Sequence, residues 1–223
     1  MNYTLRRHRV TLLLLAVTLV VFVAMQILYG PQTTRPQVIY QFGGMFGLAV
    51  RAMPSQLWRL VTPIFVHIGW EHLLVNGLTL YFVGQLAERI WGSANFFLLY
   101  LLAGMMGNAF TLALSPAALA AGASTSLFGV FAAIMVLGLQ TKNPLLRSLG
   151  RSYLSLIVVN LVLNLFMPNV GIAGHLGGAI GGALAALFLP NQIGEQPLTK
   201  SRSWLAALGF LVLFFGLVAY SFA

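Results

Sequence analysis

Long apolar segments alternate with short polar ones along nearly the whole chain, a pattern typical of helices that cross a lipid bilayer. One such helix needs roughly 20 apolar residues. The pattern predicts seven spans, numbered from first to seventh in chain order, at about residues 10–29, 71–88, 95–114, 121–140, 152–167, 172–190 and 204–222. We therefore expect an all-α polytopic membrane protein, a helical bundle.

The spacing of the spans predicts three parts: an N-terminal segment 1–9, a body of six spans over 10–190, and a linker with the seventh span over 191–223. The basic start resembles a signal peptide, but the first apolar run is longer than a typical signal core and lacks a small-residue cleavage site. We expect it to be retained. The first loop, about 30–70, is rich in Gly, Met, Phe and Trp, which predicts short amphipathic helices lying on the membrane surface.

Composition agrees with a chain that is mostly in contact with lipid. Of 223 residues, 59% are hydrophobic and 7% charged, against about 25% charged in soluble domains. The net charge of +9 comes mainly from basic residues in short loops, which favours anionic lipid headgroups over nucleic acid as the partner. The chain has no Cys and no Asp. This excludes a thiol nucleophile, a Ser-His-Asp triad and a paired-aspartate site.

Basic residues also predict the orientation, because they accumulate on the cytoplasmic side of membrane proteins. With the N-terminus inside, nine basic residues lie inside and three outside. The inside set is Arg6, Arg7, Arg9, Arg89, Lys142, Arg147, Arg151, Lys200 and Arg202, and the outside set is Arg35, Arg51 and Arg59. We expect a cytoplasmic N-terminus and an extracytoplasmic C-terminus in a cell's plasma or inner membrane.

Three polar groups of residues interrupt the apolar spans. They are His72-Leu-Leu-Val-Asn76, Gly122-Ala-Ser124-Thr-Ser126 and Gly174-His175-Leu-Gly-Gly178. They fall near the starts of the second, fourth and sixth spans, which all run in the same direction. The topology therefore predicts that the three groups lie at one depth, with Ser124 on the order of 5–10 Å inside the outer surface.

These residue types together suit acyl transfer. A serine hydroxyl needs a base to accept its proton, and histidine is a natural one near neutral pH. Ser124 is the candidate nucleophile and His175 the candidate base. His72, Asn76 and the Ser124 backbone N–H are candidate oxyanion donors. With no Asp in the chain, His175 is expected to be oriented by packing, with Phe128 as the candidate partner.

Several of the polar residues also fit a purely structural role. Ser126 is a rival nucleophile, rotated about 200° around the helix from Ser124, and serine is also common at membrane helix interfaces. His67 is interpreted as an interfacial residue or as a hydrogen-bonding group that holds its loop. Glu88 and Arg89 are interpreted as a structural contact at a helix end.

Gly174, Gly178, Gly182 and Ala186 recur at four-residue spacing in the sixth span, which predicts close approach to a neighbouring helix. Gly122 and Gly129, on either side of Ser124, permit the same from the fourth span.

In this order, the motifs resemble those of the rhomboid family of intramembrane serine proteases. The resemblance covers about residues 40–190 and includes His72 with Asn76, Gly122 with Ser124, and His175 with Gly178 and Gly182. It also includes the first-loop pair Trp58-Arg59 and the stretch Glu88-Arg89-Ile-Trp-Gly92. It implies a six-helix catalytic core with an additional C-terminal helix, a Ser-His dyad, and cleavage of transmembrane substrates without metal or cofactor. Some members have Tyr where this chain has Phe128.

Two different functions remain as alternatives. The first is a non-catalytic relative that binds membrane helices for quality control, although such a protein would be expected to lack the Ser or the His. The second is a transporter or channel, which would favour ionisable groups at mid-span or an inverted repeat. For a protease, we expect substrate entry to require movement of the fifth span or of the loop at 167–171. The sequence leaves the substrate and the oligomeric state undefined.

Overall fold

The computed structural model describes residues 8–166, 171–194 and 197–223, and in these ranges the chain is almost entirely helical. The α-helices are α1 (Arg9–Tyr29), α2 (Pro36–Gln41), α3 (Gly47–Ala52), α4 (Gly69–Leu114), α5 (Ser124–Gln140), α6 (Pro144–Leu165), α7 (Ile172–Phe188) and α8 (Lys200–Tyr220). Helices α1, α4, α6 and α8 are long and apolar enough to cross a membrane, and α5 and α7 are shorter apolar helices of 17 residues each. The chain is thus an all-α polytopic membrane protein.

The predicted second and third spans form one continuous element, α4, which is bent at Gly92. This residue has φ 73° and ψ 163°, outside the helical region, and a positive φ favours glycine. The side chain of Gln192 lies directly against Gly92, and its backbone N–H donates to the carbonyl of Ile90 at 2.7 Å. The segment that leads from the sixth span to the seventh is therefore in contact with this bend through Gln192.

Two helix starts differ from the predictions. The fourth span, α5, begins at Ser124 itself and not at 121, because Gly122 has φ 128° and cannot continue a helix. The fifth span, α6, begins at Pro144 and not at 152, because Asn143 caps it by accepting the N–H groups of Leu145 and Leu146 at 3.0 and 3.4 Å. The predicted break at Met167-Pro168-Asn169 lies outside the described residues.

The first loop folds back over one end of the bundle, the loop face, as a series of short helices. Besides α2 and α3 it contains 3₁₀ helices at Gly30–Thr34, Pro54–Leu60 and Thr62–Phe65. A two-residue strand β1 (Met45–Phe46) pairs antiparallel with β2 (Leu119–Ala120), a contact that the apolar pattern did not predict. The loop before Ser124 is therefore tied to the first loop.

Glycine determines how closely the helices pack around the sixth span. A Cβ at Gly178 would overlap the carbonyl of Thr125, and one at Gly182 would overlap the carbonyl of Gly129, both on the fourth span. The predicted close approach along this stripe is therefore present. A second stripe, Gly177 and Gly181, faces Phe110 and Met106 of the third span, where a Cβ would lie 2.6 and 2.5 Å from their side chains. The sixth span is thus held between the third and fourth, whereas the fifth packs mainly on the fourth.

Glu88 fixes the opposite end of the bundle. Its carboxylate accepts the backbone N–H groups of Val10 and Thr11 at 3.0 and 2.9 Å, and the hydroxyls of Thr11 and Ser93 at 2.7 and 2.6 Å. A carboxylate at a helix N-terminus satisfies N–H groups that have no intrahelical acceptor. Glu88 therefore makes the predicted structural contact, at the start of the first span, while Arg89 is exposed.

Candidate active site

Ser124 and His175 meet at the loop face, although 51 residues separate them in the sequence. The Nε2 atom of His175 lies 2.8 Å from Oγ of Ser124, a hydrogen-bonding distance. Each residue stands at the start of its helix: Ser124 is the first residue of α5, and His175 lies in the first turn of α7. Because both helices begin at the loop face, the two residues lie at the same end of the bundle.

The imidazole of His175 is held by a ring on one side. The Phe128 ring stacks on it with centroids 4.3 Å apart and an interplanar angle of 8°. Phe128 lies one helical turn after Ser124, so the same helix carries the hydroxyl and the surface on which the imidazole rests. The packing contact expected from the sequence is present.

A second contact of His175 was missed in the sequence. Its Nδ1 atom lies 2.7 Å from the side-chain amide nitrogen Nδ2 of Asn164, which comes from the last turn of the fifth span. Asn164 and His175 are both 9% exposed. A polar residue in an otherwise apolar span was the available signal, because such residues seldom face lipid. Both ring nitrogens of His175 therefore have a side-chain partner.

His72 and Asn76 reach the same point from the second span. The Nδ1 atom of His72 accepts the backbone N–H of Ile68 at 3.3 Å, so its proton is on Nε2, which is free to donate. A Cβ on Gly122 would lie 2.7 Å from this Nε2 atom and 3.4 Å from Nδ2 of Asn76. Among the described residues, the buried Nδ2 atom of Asn76 has no hydrogen-bond partner. Two side-chain donors thus converge beside Gly122, two residues before Ser124.

The backbone around Ser124 adds further donors. The first N–H groups of an α-helix have no intrahelical acceptor and carry the positive end of the helix dipole. Because α5 begins at Ser124, its own N–H belongs to this set. An oxyanion that forms on a carbonyl group attacked by Ser124 Oγ would therefore have donors on two sides.

Ser126 has a different environment from Ser124. Its side chain is fully buried, and its Oγ has no hydrogen-bond partner among the described residues. It points at Gly104 of the third span, where an added Cβ would overlap this oxygen. The structure therefore brings Ser124, and not Ser126, to His175.

His67 supports the loop that precedes Ser124. It is fully buried, and its Nε2 atom accepts the backbone N–H of Ala123 at 3.3 Å. Burial, together with the neighbouring ring of His72, lowers the pKa of His67 to about 3. The imidazole is therefore neutral at physiological pH and acts as an acceptor. This agrees with its interpretation as a hydrogen-bonding group in the loop.

The first-loop pair lies outside the reacting centre. Arg59 is buried between the rings of Tyr40 and Trp58, with its guanidinium carbon 3.8 and 4.3 Å from their centroids. It donates to the carbonyls of Tyr40 and Gly44 at 2.7 and 2.8 Å. Trp58 and Arg59 thus hold the first loop in shape.

A cleft of about 1110 Å³ connects these residues to the side of the bundle. It is lined near the loop face by His72, Asn76, Ser124 and His175. Further along it runs between the second and fifth spans, lined by Val75, Thr79 and Val83 on one side and by Leu156, Asn160 and Asn164 on the other. Within the described ranges, no three His, Cys, Asp or Glu side chains are grouped as metal ligands.

Comparison with known proteins finds the same family over most of the chain. Residues 54–192 match the model of the Rhomboid domain. The chain is 35% identical over 205 residues to rhomboid protease GluP of Bacillus subtilis, which is 90% of this chain and 39% of that protein. It is 30% identical over 143 residues to the putative rhomboid protease YdcA of the same organism, 64% of this chain and 71% of that protein.

An inactive relative is also similar. Inactive rhomboid protein 1 of Callithrix jacchus is 31% identical over 171 residues, 75% of this chain and 20% of that protein. The chain thus spans less than half the length of this relative and of GluP. Because the Rhomboid domain model matches more than half of the sequence, and the polar groups of the second, fourth and sixth spans meet in one cleft, this chain belongs to the rhomboid family.

Proposed function

We propose that this protein is an intramembrane serine endopeptidase that cleaves transmembrane helices near the outer membrane face. The observation that carries the proposal is the 2.8 Å contact between Ser124 Oγ and His175 Nε2. It occurs at one end of a cleft that is open between two membrane spans. A residue that served only helix packing would not need an imidazole at this distance.

The reaction is divided among these side chains. Ser124 Oγ attacks the scissile carbonyl while His175 Nε2 accepts its proton. The carbonyl oxygen becomes an oxyanion, which His72 Nε2–H, Asn76 Nδ2–H and the Ser124 N–H stabilise. His175 then gives its proton to the leaving amine, and water hydrolyses the acyl-enzyme by the same steps.

The unpartnered amide of Asn76 supports this assignment of the oxyanion donors. A buried donor without an acceptor costs on the order of 1–3 kcal/mol. Asn76 Nδ2 and His72 Nε2 both lie beside Gly122, which has no side chain and so leaves space next to these two donors. An oxyanion in this space would satisfy both groups, so the binding of the transition state would recover that cost.

The proposed substrates are transmembrane helices that reach Ser124 through the cleft. A hydrogen-bonded helix hides its peptide bonds, so substrates are expected to have small or helix-destabilising residues near the outer face. Entry takes place between the second and fifth spans and requires movement of the fifth. The positive-inside distribution supports a cytoplasmic N-terminus, with the reacting side chains towards the outer face of a plasma or inner membrane.

The decisive experiment is labelling of the purified full chain with a fluorophosphonate serine probe, together with cleavage of a transmembrane substrate in proteoliposomes. Wild type and Ser126→Ala should both be labelled and active, whereas Ser124→Ala and His175→Ala should be neither. Ser126→Ala is a matched control, because it removes a hydroxyl from the same helix without touching His175. Wild type that is neither labelled nor active would instead favour a non-catalytic protein that binds membrane helices. Cleavage that persists in Ser124→Ala would rule out Ser124 as the nucleophile.

A further inference from the structure

We propose that Asn164 is a positioning residue that fixes the tautomer and orientation of His175, so that the dyad works as a Ser-His-Asn array. The inference rests on the proposed protease function. It starts from one contact: the side-chain amide of Asn164 lies 2.7 Å from His175 Nδ1, on the side of the ring opposite to Ser124. The chain has no Asp that could take this place.

The tautomer follows from the chemistry of the ring. For His175 to accept the Ser124 proton, Nε2 must carry a lone pair, and Nδ1 must then carry the hydrogen. In the structure the amide nitrogen Nδ2 faces Nδ1, and Asn164 meets this requirement once its amide is turned so that the oxygen Oδ1 takes that place. The amide nitrogen and oxygen exchange places by a half-turn about the last side-chain torsion. With Oδ1 towards the ring, Asn164 accepts from Nδ1–H and leaves Nε2 as the base.

The same bond gains strength during the reaction. When His175 takes the Ser124 proton, the ring becomes an imidazolium, and a hydrogen bond from a charged donor is stronger than one from a neutral donor. Asn164 is nearly fully buried, where water screens little. The amide oxygen therefore stabilises the transition state more than the resting enzyme, which lowers the barrier without tightening substrate binding.

Asn160 separates this role from ordinary helix packing. It lies one turn earlier on the fifth span and also lines the cleft. Its side-chain amide donates to the carbonyl of Leu156 in its own helix, at 2.8 Å. Asn160 thus resembles Asn164 in residue type and helix and lines the same cleft, but its amide is bonded within its own helix and not to His175. Substitution at Asn160 is the matched control.

The position of Asn164 also links the array to the entry route. The fifth span packs mainly on the fourth and makes few contacts with the sixth, which carries His175. A movement of the fifth span away from the bundle would therefore carry Asn164 away from Nδ1. His175 would hold its reactive tautomer only when the fifth span is against the site.

The test compares Asn164→Leu, Asn164→Asp and Asn160→Leu with wild type, using cleavage of a transmembrane substrate. Leucine has a similar branched shape but no hydrogen-bonding atom, whereas aspartate restores an oxygen acceptor. Asn164→Leu should lower kcat by about tenfold to a hundredfold, as expected for a bond to a charged group, with KM within about twofold. Asn164→Asp should recover part of kcat, and Asn160→Leu should lower kcat far less than Asn164→Leu does.

Nitrogen-15 NMR of the histidines gives a readout that does not require activity. The His175 signals are identified by their loss in His175→Asn. Wild type should carry the resting proton on Nδ1, and Asn164→Leu should show a mixture of the two tautomers. A proton on Nε2 in wild type, or an unchanged tautomer in Asn164→Leu, would overturn the inference even if that variant proved unstable.

The kinetic outcomes separate this inference from the proposed function. If wild type is inert towards substrate and probe, the protease proposal fails, whereas the NMR measurement still tests the role of Asn164. If wild type is active and Asn164→Leu retains its kcat, only the inference fails. A loss of equal size in Asn164→Leu and Asn160→Leu would also refute it, because it would reflect helix packing alone.

Discussion

Gly122 lies in direct contact with the His72 ring, and no residue larger than glycine fits at position 122 without moving that ring. Gly122 has φ 128°, and a Cβ built on it would lie 2.6 Å from Cε1 of the His72 ring. The position of the His72 donor therefore depends on a residue of a different segment, in the loop that leads to Ser124.

Gly122→Ala is expected to lower kcat on the order of a hundredfold, the usual effect of losing one oxyanion donor. The added methyl would push His72 away from the reacting carbonyl and would also strain a backbone conformation that favours glycine. Substrate cleavage measures the effect. The matched control is Gly171→Ala, since Gly171 lines the same cleft with open space around it and no positive φ. Equal activity of the two variants would contradict this account of the loop.

The apolar pattern predicted the architecture because span length and direction depend on local composition. It predicted the apolar helices and the direction of those that bring His72, Ser124 and His175 into one cleft. The glycine spacing Gly178-x-x-x-Gly182 likewise predicted a close helix contact, because only small residues allow two backbones to approach.

The features that the sequence did not predict depend on contacts between distant residues. Asn164 is one polar residue among several in the fifth span, and only the packing of that helix shows that it reaches His175 while Asn160 does not. The start of the fourth helix depends on the φ of Gly122, which the positions of apolar residues do not encode. Ser124 and Ser126 are equivalent by composition, and only the packing shows that Ser124 meets His175 while Ser126 points at Gly104.

The glycine stripe of the sixth span predicts a stability effect. Gly182→Ala would place a methyl group against the Gly129 backbone, which has no side chain that could move aside. We expect a loss of about 1–3 kcal/mol, as for comparable overpacked contacts, and a lower Tm in detergent. Gly209→Ala is the control, because this glycine of the seventh span has open space around it, and alanine is the better helix former. A Gly182→Ala protein as stable as the Gly209→Ala protein would refute the close approach.

The entry route between the second and fifth spans predicts an effect of crosslinking. Thr79 and Leu156 line the cleft from opposite sides, and the chain has no natural Cys, so a Thr79→Cys, Leu156→Cys protein reacts with a bifunctional thiol reagent only at these sites. The crosslinked protein should lose cleavage of membrane substrates but retain fluorophosphonate labelling of Ser124, because the small probe reaches the site from the loop face. The two single-Cys proteins, treated in the same way, are the controls. Unimpaired cleavage after crosslinking would place substrate entry elsewhere.

His67 predicts a loss of stability in acid. Its pKa in the folded protein is about 3, below the value of about 6.5 for an exposed histidine, so the unfolded chain binds a proton that the folded chain does not. The free energy of unfolding therefore falls as the pH drops from about 6.5 towards 3. Above about pH 6.5, the stabilisation linked to neutral His67 is fully present. The neighbouring ring of His72, 5.1 Å away, adds repulsion when both rings are charged.

His67→Gln isolates this contribution, because a glutamine oxygen accepts the Ala123 N–H but does not titrate in this range. We expect the Tm of wild type in detergent to fall more steeply than that of His67→Gln between about pH 7 and about pH 4.5. The two proteins should differ least near neutral pH, where His67 is neutral in both folded and unfolded chains. Parallel pH profiles would mean that His67 is not held neutral by its burial. If the profiles diverge, the loop before Ser124 is the acid-sensitive part of the fold, because protonation of His67 removes the acceptor of the Ala123 N–H.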